Sequence, residues 1–352
     1  MNNINPVLGI IGGGQLGSML AVAAKKLKIK TVILSDDLKA PAKNFCDEII
    51  ITDYNKLKTI DEFIRKVNFV TFEFENIPFN ILEYISKYKP VFPKPHINQI
   101  IQNRFKEKNF VNDQGIKTTD YALIKNKSDL LNNEKLFPGF LKTCTLGYDG
   151  KGQYVLNNKD DVDDLDINYK KEYVFERKIS LKKEISVIIT RFLNNDFLIY
   201  EPIENFHINQ ILNKSMIPAV IDKNTFIQAQ QQAKLLAEKL DYIGTMCVEY
   251  FIDENNNLLL NEIAPRVHNS GHLTINAYNI SQFENHIRAV CNLDRIELKK
   301  NYNAEMINIL GEEIKNYRIK SYSKNEFFFD YLKTEIKEKR KMGHITTIKL
   351  QN

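Results

Sequence analysis

The segment Leu258–His272, LLLNEIAPRVHNSGH, constrains the fold of this chain more than any other stretch. It begins as an apolar strand, carries Glu262 near the end of that strand, and turns at Pro265. Beyond the turn, one large apolar side chain, Val267, lies among polar ones: Arg266, His268, Asn269, Ser270 and His272. Such a density of polar groups is not typical of a hydrophobic core, so the segment is a candidate functional site.

A second apolar run, Met246–Ile252, precedes this strand, and the intervening residues 253–257 (DENNN) are typical of a turn. The pattern predicts an antiparallel hairpin. With Asp253 opposite Leu258, the register of the remaining pairs follows by counting along both strands.

This register makes Glu249 and Glu262 cross-strand neighbours, and it pairs Phe251 with Leu260. Because like charges repel at opposed positions, the two carboxylates require a shared proton, a basic partner or a divalent cation. Two carboxylates suit Mg²⁺ when phosphate oxygens complete its coordination shell. The alternative is a register shifted by one residue, which would place the two carboxylates on opposite faces of the sheet.

The composition indicates an ordinary globular protein of two or three domains. The chain has 352 residues, of which 43% are hydrophobic and 26% charged. Its net charge of +5 comes from basic and acidic residues mixed along the sequence, so we expect no nucleic-acid partner. We expect no membrane partner and a cytoplasmic location, because there is no apolar segment of spanning length and no signal-peptide pattern. The four cysteines form no CxxC pair, so neither a zinc site nor a redox motif is indicated.

A strand, a glycine-rich turn, a helix and a second strand open the chain and predict a βαβ unit. Val7–Ile11 is followed by GGGQLG, in which Gly12, Gly14 and Gly17 match G-x-G-x-x-G, and Asp36 follows the second strand. Taken alone, this pattern favours a nicotinamide-dependent dehydrogenase. The turn, however, only directs backbone N–H groups at an anion from a helix N-terminus, so any phosphorylated ligand could use it.

The last strand of this region ends in two acidic residues. In Phe69–Asn76, Glu73 and Glu75 are two residues apart, on one face at the carboxyl end of the strand, where ligands of open α/β sheets bind. The alternative is that both carboxylates face solvent. Pro90, Pro93 and Pro95 close this region, and then a polar helix is predicted over Ile97–Asp113, which carries Arg104. We expect a domain boundary near this helix.

A second glycine-rich segment, Thr143–Gln153, follows a strand that ends at Lys142. The dipeptide Asp149-Gly150 predicts a tight turn between two strands. Three glycines around Lys151 are also typical of a flap whose N–H groups cover phosphates. The segment is not a Walker A loop, and a phosphate flap can itself be a hairpin.

Five motifs, in the order GGGQLG, TFEFEN, GYDGKGQ, VEYF and NEIAPRVHNSGH, resemble the ATP-grasp family, and specifically its 5-(carboxyamino)imidazole ribonucleotide synthases of purine biosynthesis. The resemblance extends from about Leu8 to the C-terminus. It implies an α/β and α+β architecture, the ATP-grasp fold. A Rossmann-like N-terminal domain would occupy residues 1–103, an ATP-grasp domain 104–294 and a small β-rich C-terminal domain 295–352.

The resemblance also implies the reaction. ATP phosphorylates bicarbonate, and carboxyphosphate, or CO2 released from it, carboxylates the exocyclic amine of aminoimidazole ribonucleotide, while ADP and phosphate leave. The implied cofactors are ATP and Mg²⁺, the partners are these small molecules, and the implied assembly is a homodimer.

The roles that the resemblance implies divide into four groups. The Mg²⁺ ligands would be Glu249 and Glu262. The residues that bind ATP would be Arg104, Lys142, Gly147, Tyr148, Asp149, Gly150, Lys151, Gly152, Gln153, Glu176, Arg177, Lys178, Ile179, Glu184, His207, Asn261 and Glu262. Aminoimidazole ribonucleotide and bicarbonate would be bound by Gln15, Glu75, Tyr148, Asp149, Lys151, Arg266, His268, Asn269, Lys333, Arg340 and Lys341. The catalytic residues would be Lys142, Tyr148, Asp149, Lys151, Arg266 and His268.

Two positions depart from the family pattern. The family often has Arg where Ser18 stands, and its Arg-Pro-Gly-Arg stretch is replaced here by residues 337–340, KEKR. A Lys supplies the charge of an Arg but not its bidentate geometry, so the departures concern the recognition of the substrate phosphate.

Three other functions compete with the main interpretation. A dehydrogenase would explain only the first domain. Another ATP-grasp enzyme, such as biotin carboxylase or the formate-dependent glycinamide ribonucleotide transformylase, would share the magnesium carboxylates but not the HNSGH segment. An ATP-binding regulatory protein without turnover is the third alternative.

Overall fold

The computed structural model describes residues 6–147 and 152–350, and within these residues the strands form three sheets. The first sheet is parallel, in the order β3-β2-β1-β4. Its strands are β1 (Val7–Ile11), β2 (Lys30–Ser35), β3 (Glu48–Ile51) and β4 (Phe69–Phe72). The helices of this region are α1 (Gln15–Lys26), α2 (Leu57–Lys66), α3 (Phe79–Ser86), α4 (Pro95–Ile101) and α5 (Arg104–Asp113). The predicted βαβ unit is confirmed.

The predicted helix over residues 97–113 is wrong in one respect, because the structure divides it into α4 and α5. Asn103 lies in extended backbone between the two helices, and its side chain accepts hydrogen bonds from the backbone N–H groups of Phe105 and Lys106. This N-cap starts a new helix, since it satisfies N–H groups that otherwise have no partner. Arg104 is therefore the first residue of α5.

The second sheet is antiparallel, in the order β5-β8-β6-β7. Its strands are β5 (Tyr121–Ile124), β6 (Gly139–Thr143), β7 (Gln153–Leu156) and β8 (Tyr173–Arg177), and α6 (Lys127–Asn132) follows β5. β6 and β7 pair as a hairpin, with Lys142 opposite Gln153. The predicted turn residues Asp149 and Gly150 lie outside the described residues.

The third sheet has the order β14-β13-β9-β11-β12-β15-β17-β16, with β10 paired to β9. Its strands are β9 (Leu181–Arg191), β10 (Phe197–Ile199), β11 (Ile203–Ile208), β12 (Ile211–Ile217), β13 (Gly244–Asp253), β14 (Leu258–Ala264), β15 (Asn303–Leu310), β16 (Glu326–Asp330) and β17 (Lys341–Lys349). The remaining helices are α7 (Lys223–Lys239), α8 (Thr274–Ala277), α9 (Gln282–Val290) and α10 (Ile314–Ile319). The C-terminal strands thus extend the sheet that contains the predicted carboxylate pair.

Two hydrophobic clusters position the candidate site. One packs Ala229, Ala233 and Leu236 of α7 against β9, β13 and β14. The other joins α1 to α9 and includes Tyr331, which follows β16. This second cluster holds the beginning of α1 next to the C-terminal strands. None of the helices in the described ranges combines the length and apolar character that a membrane crossing requires.

Candidate functional site

The predicted cross-strand pair is confirmed, although one part of the predicted register is wrong. Glu249 pairs with Glu262, but near the turn Tyr250, not Phe251, lies opposite Leu260. A β-bulge between these two parts of the hairpin contains one extra residue, Asn261, and restores the predicted register at the carboxylates. Sequence counting missed the bulge because no residue type in this stretch demands it.

The two carboxylates are close enough for the charge of Glu262 to affect the protonation of Glu249. Burial, together with the charge of Glu262, raises the pKa of Glu249 to about 8. Glu262 has a basic partner, since Arg104 Nη1 donates to its Oε2 at 3.0 Å. A pair of adjacent carboxylates fits a divalent cation, because the charge of the cation would offset the repulsion between them.

A second grouping includes a thiol. Ligand atoms of Cys247, Glu249 and His268 lie within 4.8 Å of one another. Burial raises the pKa of the Cys247 thiol well above its usual range, so the thiol stays protonated and does not suit a hard cation. The carboxylate pair is therefore the better cation site.

Arg104 connects the carboxylate pair to the second glycine-rich segment. Its Nη2 donates to the carbonyl oxygen of Gly147 at 3.1 Å, while Nη1 contacts Glu262. At the other end of the segment, Gly152 has a φ of +70°, which suits glycine. The predicted residues between them lie outside the described residues: Tyr148, Asp149, Gly150 and Lys151.

A buried carboxylate, that of Glu176, lies between two lysine side chains. Lys142 Nζ donates to one oxygen at 3.0 Å, and Lys108 Nζ lies 3.5 Å from the other. Burial alone would raise the pKa of Glu176, but Lys108 and Lys142 lower it to about 2. The sequence interpretation expected the backbone of residues 176–179 to meet adenine, whereas the Glu176 side chain here neutralises a lysine expected at the ATP phosphates.

Sequence reasoning missed two charged residues of α5, Glu107 and Lys108. Both side chains are buried, and the Glu107 carboxylate accepts a hydrogen bond from the backbone N–H of Ile263, next to Glu262. Burial and the charge of Glu262 raise the pKa of Glu107 to about 8. A signal was present, because Arg104, Glu107, Lys108 and Val111 have the i, i+3, i+4, i+7 spacing of one helix face.

Glu184 and His207 meet across neighbouring strands β9 and β11. His207 Nδ1 lies 2.8 Å from Glu184 Oε2. Burial alone would lower the pKa of His207, but the hydrogen bond and charge of Glu184 raise it. The two residues expected at the nucleotide therefore form one acidic and basic pair on the same sheet as Glu249.

The other predicted nucleotide residues lie at the ends of strands. Arg177 ends β8, its side chain is exposed, and its guanidinium lies 3.7 Å from Asp120. The N–H of Lys178 donates to Pro138 O, while Ile179 is half-buried before β9. Asn261 is the half-buried bulge residue.

A second group of predicted residues surrounds the segment after β14. Arg266 forms a short ion pair with Glu75, and its Nη1 donates to Val267 O. Burial alone would raise the pKa of Glu75, but Arg266 lowers it below its usual range. His268 Nε2 lies 3.6 Å from Glu249 Oε1, so this group adjoins the carboxylate pair. Burial lowers the pKa of His268 well below its usual range.

The remaining predicted residues connect the start of α1 with the C-terminal strands. Lys333 Nζ donates to Gln15 Oε1 at 3.2 Å and to the backbone oxygen of Lys341 at 2.5 Å. Arg340 Nη1 donates to the backbone oxygen of Glu335 at 3.0 Å. Asn269 is instead buried against β15, where its amide exchanges hydrogen bonds with Asn308.

A side chain of the protein itself binds the glycine turn before α1. Glu73 accepts hydrogen bonds from the backbone N–H groups of Gly14 and Gly17. A Cβ added at Gly12 would lie 2.5 Å from Glu73 Cγ, so glycine is needed there for the close approach. A carboxylate occupies the place that a dinucleotide phosphate would take, and Asp36 is engaged by Tyr54. This arrangement argues against both the dehydrogenase and a solvent-facing Glu73.

The fold and this convergence of basic and acidic side chains around α5 define an ATP-grasp ligase. Family models match as the ribonucleotide synthetase preATP-grasp domain over residues 6–102, the ATP-grasp domain over 109–283 and the phosphoribosylaminoimidazole carboxylase C-terminal domain over 304–352. The chain belongs to the N5-carboxyaminoimidazole ribonucleotide synthase family, as the following relatives show.

The Bacillus subtilis N5-carboxyaminoimidazole ribonucleotide synthase is 37% identical over 347 residues, which cover 97% of this chain and 91% of the relative. A crystal structure of an ADP complex of such a synthetase has a TM-score of 0.92 and 37% identity, covering 98% of this chain and 93% of that one. The Aspergillus clavatus enzyme, solved with ADP and 5-aminoimidazole ribonucleotide, has a TM-score of 0.90 and 26% identity, covering 99% of this chain and 94% of that one.

Proposed function

We propose that this chain carboxylates 5-aminoimidazole ribonucleotide with bicarbonate and ATP, giving 5-(carboxyamino)imidazole ribonucleotide, ADP and phosphate. The observation that carries the proposal is the position of the Glu249 and Glu262 pair, which adjoins Arg104 on one side and His268 on the other. Arg104 suits the phosphates of a nucleotide, and His268 suits a second substrate. The family relationship supports both substrates.

Positive charge on the transferring phosphoryl group is the main chemical requirement of the first step. Lys142 and Arg104 are proposed to supply it, and Glu176 keeps the Lys142 ammonium in place at 3.0 Å. Glu184 and His207 are proposed to face the ribose and its surroundings. Residues 147–153 are proposed to cover the phosphates, because carboxyphosphate hydrolyses readily and must be kept from water.

We propose that Mg²⁺ accompanies ATP and is held by Glu249 and Glu262. The donor set fits this ion, because two carboxylates bind it together with phosphate oxygens. When bound, the ion would stabilise negative charge on the phosphate oxygens.

Substrate recognition is proposed to rest on the residues around Arg266 and the C-terminal strands. Arg266 and His268 are proposed to bind bicarbonate and the imidazole substrate, with Glu75 holding the guanidinium in place. Lys333, Arg340 and Lys341 would contact the substrate phosphate. Asn269, bonded to Asn308, would act mainly by holding the segment against β15.

The two departures from the family pattern leave this proposal intact. Ser18 is buried in α1 and its hydroxyl donates to Gly14 O at 2.8 Å, so it contributes to the helix and not to phosphate binding. In the altered stretch at 337–340, the Arg340 N–H donates to Lys337 O, which forms a turn without Pro or Gly. The charge for the substrate phosphate then comes from the lysines nearby.

We further propose the division into domains at residues 103 and 294, a homodimer and a cytoplasmic location, all on the basis of the family. The continuity of the third sheet from β12 into β15 implies that the C-terminal domain and the ATP-grasp domain fold together. Gel filtration with light scattering would measure the assembly.

The function is tested by measuring phosphate release with ATP, bicarbonate and each candidate acceptor. We expect release that requires both bicarbonate and aminoimidazole ribonucleotide, with 5-(carboxyamino)imidazole ribonucleotide as product. Release that requires glycinamide ribonucleotide and formate would instead assign the chain to another ATP-grasp reaction. ATP binding without release under any of these conditions would favour a regulatory protein.

A further inference from the structure

His272, the last residue of the HNSGH segment, has no role in the proposed function, yet it contacts Gln15, which has one. Its imidazole is fully buried, and its Nε2 lies 2.9 Å from Nε2 of Gln15. Around it lie the rings of Phe283, Tyr331 and His344. A buried His in such surroundings needs a partner for its polar atoms, and Gln15 is the partner within normal hydrogen-bonding distance.

The direction of the hydrogen bonds follows from the lysine at the other side of Gln15. An ammonium group can only donate, so the Gln15 oxygen must face Lys333 Nζ, which lies 3.2 Å away. The amide nitrogen of Gln15 therefore faces His272 and donates to it. An imidazole nitrogen that accepts a hydrogen bond carries no proton, so the proton of His272 is on Nδ1 and the ring is neutral.

The neighbouring groups are consistent with this direction. Burial lowers the pKa of His272 well below its usual range, so the ring stays neutral. The Tyr331 phenol interacts with the Gln15 amide and lies 2.8 Å from His344 Nδ1, to which it can donate. Nδ1 of His272 lies 3.5 Å from the Gln282 amide nitrogen, which donates to the backbone oxygen of His268 at 2.6 Å, so Gln282 is not a close hydrogen-bond partner of the ring.

We propose that His272 is a positioning residue for the imidazole-substrate site: by accepting from the Gln15 amide it directs the Gln15 oxygen toward Lys333 and so holds both side chains for the substrate. This inference rests on the proposed function, which assigns Gln15 and Lys333 to the substrate. His272 itself would touch no substrate atom. Its effect would appear in the affinity for aminoimidazole ribonucleotide and not in the affinity for ATP.

The arrangement joins three distant parts of the chain. Gln15 begins α1, His272 follows β14, and Lys333 lies between β16 and β17. The hydrogen bonds from Lys333 to Gln15 and to the backbone of Lys341 place a further predicted phosphate residue in the same set. A change in the orientation of the Gln15 amide would therefore affect more than one proposed contact to the substrate.

The test compares His272→Phe, which keeps a ring but removes the acceptor, with His272→Gln, which restores an acceptor near the position of Nε2. We expect His272→Phe to raise KM for aminoimidazole ribonucleotide about tenfold, the effect of one buried hydrogen bond, with KM for ATP nearly unchanged. His272→Gln should recover most of this loss. Unchanged KM for the imidazole substrate in His272→Phe, or equal losses in both variants, would overturn the proposal.

A matched control is available in His286, which is also fully buried. Its Nε2 lies 2.8 Å from the Thr71 hydroxyl, and its Nδ1 accepts from the backbone N–H of Thr245, away from the predicted substrate residues. His286→Gln should leave KM for the imidazole substrate unchanged, even where it lowers the melting temperature. A rise in that KM equal to that of His272→Phe would show a general effect of removing a buried imidazole, contrary to the proposal.

A double-mutant cycle keeps the proposal testable if one variant folds poorly. If His272 acts through Gln15, then in a Gln15→Ala background neither His272→Phe nor His272→Gln raises KM further. Additive losses would contradict the inference. Phosphate release by the wild type is measured first. If this release does not require aminoimidazole ribonucleotide, the proposed function fails. If it does require this substrate, but the His272 variants keep the wild-type KM for it, the positioning role alone is refuted.

Discussion

The carboxylate of Glu262 shows how much one residue can determine in this protein. It lies opposite Glu249, pairs with Arg104, and follows directly after the bulge residue Asn261. Its neighbour Ile263 is held by Glu107 of α5. These contacts orient the carboxylate without burying it in an apolar environment, so its charge can be removed with little change in packing.

We predict that Glu262→Gln lowers turnover roughly 100-fold or more, because it removes a charge from the proposed Mg²⁺ site. The fold should be retained, as measured by circular dichroism and the melting temperature. Glu254→Gln, an exposed change in the same hairpin, is the control and should keep wild-type rates. Near-wild-type ATP consumption by Glu262→Gln would refute the metal assignment.

At the scale of elements, the start of α1 depends on a side chain from the end of β4. Glu73 accepts from the N–H groups of Gly14 and Gly17, which would otherwise be buried donors at a helix N-terminus. Burial raises the pKa of Glu73, and the two N–H groups oppose that rise. In a dinucleotide-binding fold the N–H groups of this glycine turn bind a phosphate. Here they bind a carboxylate of the protein itself.

We predict that Glu73→Ala lowers the free energy of unfolding by about 2–4 kcal/mol, because two buried N–H groups lose their acceptor. Thermal or urea unfolding of the ligand-free protein would measure it. Glu83→Ala, on the exposed face of α3, should change stability by less than about 0.5 kcal/mol. Equal stability of Glu73→Ala and the wild type would mean that water satisfies both groups.

At the scale of the whole molecule, several imidazoles are buried in neutral form. Burial lowers the pKa of His286 to about 4 and that of His344 to about 3. In the unfolded chain each would bind a proton below its usual pKa of 6.5. Between pH 6.5 and about 4 the unfolded state therefore binds more protons at these two imidazoles than the folded state does, so their contribution to the free energy of unfolding falls as the pH falls.

We predict a decline in melting temperature from pH 6.5 to pH 4.5 that is shallower in His286→Gln than in the wild type. One such group contributes up to about 1.4 kcal/mol per pH unit in this window. The slope is the quantity to compare, since the substitution also changes stability at neutral pH. His96→Gln, at an exposed position, is the control. Parallel slopes for wild type and His286→Gln would contradict the prediction.

Local patterns predicted much of this architecture. The βαβ unit, the hairpin and the opposition of Glu249 to Glu262 follow from apolar periodicity, turn residues and counting along strands. The division between α4 and α5 and the bulge at Asn261 were missed, because each depends on a few hydrogen bonds that do not change the periodicity. The buried charges of Glu107 and Lys108 had a visible helical spacing, but an amphipathic pattern does not say that a polar face is buried.

By itself, the sequence determined which elements form and which side chains share a face, since both follow from backbone geometry and the positions of apolar residues within a few neighbours. Only the tertiary structure decided which distant groups meet: Glu73 with the glycine turn, Lys108 with Glu176, and His272 with Gln15, 257 residues apart in the chain. The physical reason is that hydrogen bonds and ion pairs act over a few ångströms in space. Sequence separation carries no information about that distance until the elements have packed.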